Sequence, residues 1–140
     1  MDRVLVPIDG SEPALRAVRY AAQVSRHRCP LEIHLLSVEP APQDWQTRGI
    51  GTKAIEEHLR LLAHEAAASA RAVLDAEGVG HTSHVRLGDP AEVIAATAEE
   101  LGCHHIIMGT RGLGKVAGLA LGSVATGVLH LAKVPVTFVK

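Results

Sequence analysis

Short apolar, β-branched runs alternate along this chain with segments whose apolar residues recur every three or four positions. That alternation narrows the available folds more than any other feature. The runs cover residues 3–8, 31–38, 79–87, 103–108 and 134–139. The first carries Val4, Leu5, Val6 and Ile8, as a strand covered on both faces does. Between the runs, Leu15, Val18, Ala21 and Ala22 mark one helix. Ile55, Leu59, Leu62, Ala66, Ala70 and Val73 form the stripe of a long helix over 52–76, Ile94, Ala98 and Leu101 belong to a third, and a fourth covers 124–132. Strands and helices in this order predict one α/β domain over residues 1–140. Its sheet is a five-stranded, doubly wound, parallel one of Rossmann-like type, with helices on both faces.

Punctuation residues set the ends. Pro7 is expected to end the first ladder, Ser11 to cap the first helix with Pro13 in its first turn, and Gly78 to stop the long helix. Gly88-Asp89-Pro90-Ala91-Glu92 reads as turn, cap, first-turn proline and a glutamate three positions after the cap. Within 79–87, Val79, Ser83, Val85 and Leu87 alternate with Thr82, His84 and Arg86, which predicts an edge strand with one wet face. With Trp45, Tyr20 and Phe138 as the only aromatics, the core must be built from Ala, Val, Leu and Ile.

Several function classes are disfavoured. A net charge of -1 gives no basic face for a nucleic acid. No stretch of about 18 uncharged apolar residues is present to span a membrane, and the chain opens without a signal-peptide pattern, so a cytoplasmic protein is expected. Cys29 and Cys103 are far apart without a C-x-x-C and read as reduced, buried thiols. The histidines are not spaced as ligands. His104 and His105 are adjacent on a strand, His81 and His84 are an odd number apart, and His58 and His64 stand six apart on a helix, so no metal site built from protein ligands alone is expected.

The functional signal is the stretch Gly109-Thr110-Arg111-Gly112, directly after Ile106-Ile107-Met108, with Gly122-Ser123 opening the last helix. A strand-to-helix turn leaves the first helical N–H groups unpaired at the positive end of the helix dipole, where they attract an anion, most often a phosphate. Glycine has no Cβ to hold the anion away, and the turn is expected to need unusual φ at Gly122. Ser123 adds a hydroxyl, and Arg111 or Lys115 could add charge. Neither G-x-G-x-x-G after the first strand nor a P-loop is present. Open sheets bind ligands beyond the carboxyl ends of strands where the order reverses. If the first and fourth strands are neighbours, residues 9–11 and the glycine stretch face one crevice. The loop from Glu39 to Gly51 is long enough for a lid, and Trp45 within it reads as cover for nearby apolar surface rather than a base platform.

Asp9 at the end of the first strand, with G-x-x-G, nine residues and G-S, resembles the ATP-binding branch of the universal stress protein family. The resemblance covers essentially the whole chain, from Val4-Leu5-Val6-Pro7-Ile8-Asp9-Gly10-Ser11 through Gly88-Asp89-Pro90 to Val134-Pro135-Val136. It implies an adenine nucleotide alpha-hydrolase-like fold binding ATP or another adenine nucleotide, with Mg or Mn. The phosphates would be cradled by Gly109, Gly112, Gly122 and Ser123, helped by the backbone of Thr110, Arg111, Val124 and Ala125. Asp9 would hold the ribose or a metal-bound phosphate, Pro7 and Ile8 would line the adenosine, and the Val38 backbone would meet adenine. The function implied is a nucleotide-responsive sensor or regulator in stress response. The alternative is a slow ATP hydrolase or adenylyl-transferring enzyme, but no catalytic residue is assigned, because Asp9 is the crevice's only acid and no general base accompanies it. A receiver-type domain would need an acidic cluster there. Gly127 departs from the longer polar residue usual in the family, and an interior glycine weakens its helix by about 0.5–1 kcal/mol relative to alanine. The last strand, with apolar Val136, Phe138 and Val139, is expected at an edge covered by a second copy across a two-fold axis, Phe138 lying in the seam; the resemblance implies the same homodimer.

Overall fold

The computed structural model describes residues 1–40, 51–111 and 121–140. Nine elements lie among them: β1 (Asp2–Ile8), α1 (Glu12–His27), β2 (Leu31–Glu39), α2 (Thr52–Ala76), β3 (His81–Leu87), α3 (Pro90–Glu100), β4 (His105–Gly109), α4 (Ser123–Leu131) and β5 (Val136–Val139). The strands form one all-parallel sheet in the order β3-β2-β1-β4-β5. The chain winds outward from β1 to β3, then returns to lay β4 on the other side of β1. The order therefore reverses between β1 and β4.

Pro7 does not end the ladder. Pairing with β2 continues through Pro7↔Leu36 and Ile8↔Ser37, whereas pairing with β4 is confined to Val4↔His105 and Leu5↔Ile106. The reason is directional. Arg3 O accepts from His104 N–H, so the backbone of Arg3, Leu5 and Pro7 points towards β4 and that of Val4, Val6 and Ile8 towards β2. The N–H that proline lacks would have faced the gap between β1 and β4 beyond their last pair.

Each sheet face has its own core. Val4, Val6, Ile8, Ile33, Leu35 and Ile107 meet α1 and α2, while Leu5, Leu36, Ile106 and Met108 meet Ile94 and Ala98 of α3 and Ala125 and Val128 of α4. The expected caps form: Ser11 Oγ accepts from Ala14 N–H at 3.3 Å and Asp89 Oδ2 from Glu92 N–H at 3.2 Å. Gly78 ends α2 with φ +68.

Three further expectations are corrected. The buried seam of α2 is Ala63, Ala67, Ala70 and Leu74, with only Ala70 in common with the expected stripe; Leu62 is 40% exposed. Alanines let the helix lie close to the sheet, and the longer side chains flank the contact. The edge strand β3 has no single wet face: Thr82 and Ser83 are exposed, but His84, Val85, Arg86 and Leu87 are all half-buried. Cys103 is buried, but Cys29 is exposed.

Gly127 has a packing reason that its own helix does not show. A Cβ there would stand 2.6 Å from Ala91 Cβ in α3, too close for two carbons. Gly127→Ala is therefore expected to lower stability by about 1 kcal/mol despite alanine's better helix propensity, since overpacking costs about 1–3 kcal/mol. Ala91→Gly should rescue it. Urea unfolding of the two single variants and the double variant checks this through their coupling.

Candidate nucleotide site

Beyond the carboxyl ends of β1 and β4, at the reversal point, lies a cavity of about 300 Å³. It is lined by Pro7 and Ile8 at the end of β1, Asp9 just after it, Val38 of β2, Gly109 of β4, Arg111, and Gly122, Ser123, Val124 and Ala125 at the start of α4. Thr110 sits between Gly109 and Arg111. Gly112, Lys115 and Trp45 lie outside the described residues, as does most of the loop from Glu39 to Gly51. The cavity also takes in Ala14, Leu36, Pro90, Ile94 and Met108. In the sequence these five carry only core or helix-start signals, and sheet topology alone brings them to one wall.

The two glycine groups are tied together. Gly122 N–H donates to Thr110 O at 2.7 Å, and Thr110 N–H donates to Val139 O at 3.2 Å. The first α4 bond runs from Thr126 N–H to Gly122 O at 3.0 Å, so the N–H groups of Ser123, Val124 and Ala125 precede the helical ladder. Among the described residues no side chain caps them, because the cap is Gly122, and no acidic residue occupies the first turn of α4. The other two helices that begin at the cavity are each capped, α1 by Ser11 and α3 by Asp89. The start of α4 is thus the electropositive, uncapped end on this wall.

The structure changes the reason for each glycine. Gly122 has φ -73 and ψ 173, ordinary extended backbone, so unusual φ is not needed there. Its own N–H is committed to Thr110. What it lacks is a cap. Gly109 is required by close approach: a Cβ would stand 2.7 Å from Pro13 O, in the first turn of α1.

Among the described residues, polar side chains are few on this wall. Asp9 is exposed at the rim, and its Oδ1 accepts from Ser11 N–H at 2.9 Å, which fixes the carboxylate beside the turn. Arg111 and Ser123 supply the others. Against them stands the apolar floor of Leu36, Ile94 and Met108, each buried. An apolar floor with an anion-attracting rim suits a ligand with a flat apolar body and a charged tail. A second cavity of about 420 Å³ opens at the other end of the sheet near Arg26, Glu32 and His81. It faces the carboxyl ends of α1 and α2, the wrong end of the dipole for an anion.

Among the described residues no helix is long and apolar enough to cross a membrane, and no group of three or more His, Cys, Asp or Glu could hold a metal ion.

A sequence model of the universal stress protein family matches residues 1–140. The chain is 34% identical to a universal stress protein of Thermus aquaticus, with 98% of this chain and 97% of that one covered. It is 28% identical to one of Methanocaldococcus jannaschii, with 99% and 81% covered. Among solved structures it resembles a hypothetical protein studied as a test case of structural genomics, with a TM-score of 0.84, 26% identity and 99% and 95% of the chains covered. It shares its fold with a universal stress protein solved in complex with cAMP, at a TM-score of 0.74, 24% identity and 99% and 97% coverage. It also shares it with the Archaeoglobus fulgidus protein solved in complex with dAMP, at a TM-score of 0.72, 23% identity and 100% and 98% coverage.

Proposed function

This chain belongs to the universal stress protein family, and from that premise we propose that it binds an adenine nucleotide, ATP foremost, in the cavity between β1 and β4. In this reading it acts in the cytoplasm as a nucleotide-responsive regulator. The observation that carries the reading is the start of α4: of the three helices beginning at the cavity, it is the one whose cap residue, Gly122, offers no side chain to its first N–H groups. Phosphate oxygens would accept from Ser123, Val124 and Ala125 N–H, with the Ser123 hydroxyl and Arg111 adjoining. Pro7, Ile8, Leu36 and Ile94 would enclose the adenosine, Val38 would meet adenine, and Asp9 would take the ribose. A Mg or Mn ion carried by the phosphates would find its carboxylate in Asp9, the acid on this wall among the described residues. Two of the proteins sharing this fold were solved with adenine nucleotides. Equilibrium dialysis against ATP, AMP and cyclic AMP tests the reading, alongside mass spectrometry of any nucleotide released on denaturation. Saturable binding of at least one supports it; a folded protein that binds none overturns it.

The same reading extends to a homodimer through β5, the edge beside β4. Val136 and Phe138 pack against the α3–α4 side of the sheet within their own chain, so their side chains serve the core as well as any seam. The open edge is their backbone. Ile106 N–H donates to Pro135 O and Thr110 N–H to Val139 O, so Pro135, Thr137 and Val139 face β4. The N–H and C=O groups of Val136 and Phe138 therefore point outward. Val136→Pro removes one outward donor and leaves every bond to β4 in place. Sedimentation equilibrium at roughly tens of micromolar should show a wild-type dimer and a mainly monomeric Val136→Pro of unchanged circular dichroism. A monomeric wild type would exclude the β5 dimer.

A further inference from the structure

A polar chain outside the cavity lining crosses the sheet on the face that carries α3. Arg3 Nε pairs with Glu32 Oε2. The same carboxylate oxygen lies 2.8 Å from His34 Nε2, and His34 Nδ1 lies 2.8 Å from His84 Nε2. The two imidazoles are stacked, with centroids 5.0 Å apart and planes at 26°. Strand register makes the meeting possible. Leu36 pairs with His84 and stands on the same face as Glu32 and His34, so the rings are diagonal neighbours across β2 and β3. The His34 side chain is only 12% exposed.

The arrangement counts protons. Glu32 is acceptor-only when ionised, and the hydrogen bond from His34, followed by that from Arg3, holds its carboxyl below the usual glutamate range. His34 Nε2 therefore carries its hydrogen, and the neutral ring offers the Nδ1 lone pair to His84 Nε2–H. One added proton is accommodated. A single hydrogen still lies between the two facing nitrogens, so one ring donates and the other accepts. A second added proton places hydrogens on both facing nitrogens and two like charges across 2.8 Å, and the bond cannot survive it.

The surroundings resist that second charge. From β3, Arg86 faces the pair, its guanidinium 3.7 Å from Glu100 of α3. From β1, Arg3 also donates to Leu101 O at 2.6 Å and, through its backbone N–H, to His104 Nδ1 at 3.0 Å. Cys103, whose thiol is pushed up by burial, adjoins Arg3 and Glu32. Burial first, then His34 and Arg86, push the His84 imidazole below the ordinary histidine value, with Glu100 opposing.

We propose that the His34–His84 bond is a proton-operated latch fastening the edge strand β3 to the sheet, closed while the pair carries at most one added proton and opened by the second. β3 runs through Gly88, whose N–H donates to Glu39 O at 2.9 Å, and through the Asp89 cap directly into α3. Opening the latch therefore loosens the strand that leads to Pro90 and Ile94 of the cavity wall. The sign follows from His84. Its folded value is depressed, so the unfolded chain takes up the proton first; the contribution is whole above about pH 6.5 and is lost as pH falls below it.

Amide hydrogen exchange of the ligand-free protein at pH 7.5 and 5.5, corrected for intrinsic rates, tests this without any nucleotide. In the wild type, amides of residues 81–87 are expected to lose at least about tenfold in protection at pH 5.5 relative to those of residues 4–8. The loss should track the titration of the His84 ring nitrogens followed by NMR in the same protein. His84→Gln keeps a neutral donor and should hold the protection of 81–87 constant between the two pH values; His34→Gln serves if that variant does not fold. Unchanged protection of 81–87 in the wild type overturns the latch. So does a loss that does not follow the His84 titration, or one that persists in the folded glutamine variant.

Discussion

Gly122→Asp is expected to make the protein more stable and to cost it nucleotide binding, two effects of opposite sign from one side chain. At the cap position the aspartate would accept from the N–H groups of Val124 or Ala125 and place a negative charge at the positive end of α4. Together these should raise the unfolding free energy by about 0.5–1 kcal/mol. The backbone permits it, since φ -73 and ψ 173 suit any residue. Those N–H groups would then be spent, and a carboxylate would stand where the proposed phosphate would bind. The lost charged hydrogen bonds are worth about 1.5–3 kcal/mol each, so ATP affinity should fall by at least about 100-fold. Urea unfolding and equilibrium dialysis on one preparation read both effects. Affinity within about threefold of wild type would remove the start of α4 from the binding site, whatever happens to stability.

Gly109→Val should act on the fold itself. Gly109 is buried at the end of β4, and a Cβ would meet Pro13 O at 2.7 Å, Pro13 C at 2.8 Å and Pro13 Cβ at 3.0 Å. Backbone cannot swing aside as a side-chain tip does, so β4 and the first turn of α1 must part. A loss of about 3 kcal/mol is expected, at the upper end of ordinary overpacking. The midpoint of urea unfolding should drop with an unchanged slope. Gly80→Ala is the control, because nothing lies within 4 Å of its would-be Cβ. If Gly109→Val unfolds like the wild type, the Pro13 contact does not constrain the loop.

Both predictions rest on features the sequence pointed to for incomplete reasons. Gly109 and Gly122 stand out as glycines in a strand-to-helix turn, and the cavity does lie there. One, however, makes room for Pro13, and the other withholds a cap. Gly127 reads in sequence as a weak point in a helix, and its cause is Ala91, in a helix more than thirty residues earlier. The histidines divide in the same way. Spacing along the chain compares His81 with His84 and His104 with His105, but the pair that meets is His34 and His84, fifty positions apart and joined by the β2–β3 register.

What the chain determines by itself is what short-range physics controls. Hydrophobic period separates strands from helices, and Ser11 and Asp89 cap the helices they precede because a cap needs only three residues of local geometry. Alternation of strand and helix sets the parallel sheet, and the switch point locates the crevice. Tertiary structure decides everything that depends on which distant atoms become neighbours. It turns Ala63, Ala67, Ala70 and Leu74 of α2 inward in place of the expected stripe from Ile55 to Val73, and lets Pro7 stand in the ladder because its missing donor faces the gap between β1 and β4. It also assembles Leu36, Ile94 and Met108 into one floor. The reason is that caps and periods are properties of a few consecutive residues, whereas side-chain clearances and hydrogen-bond partners across the sheet are set by register and packing distance, which no local stretch encodes.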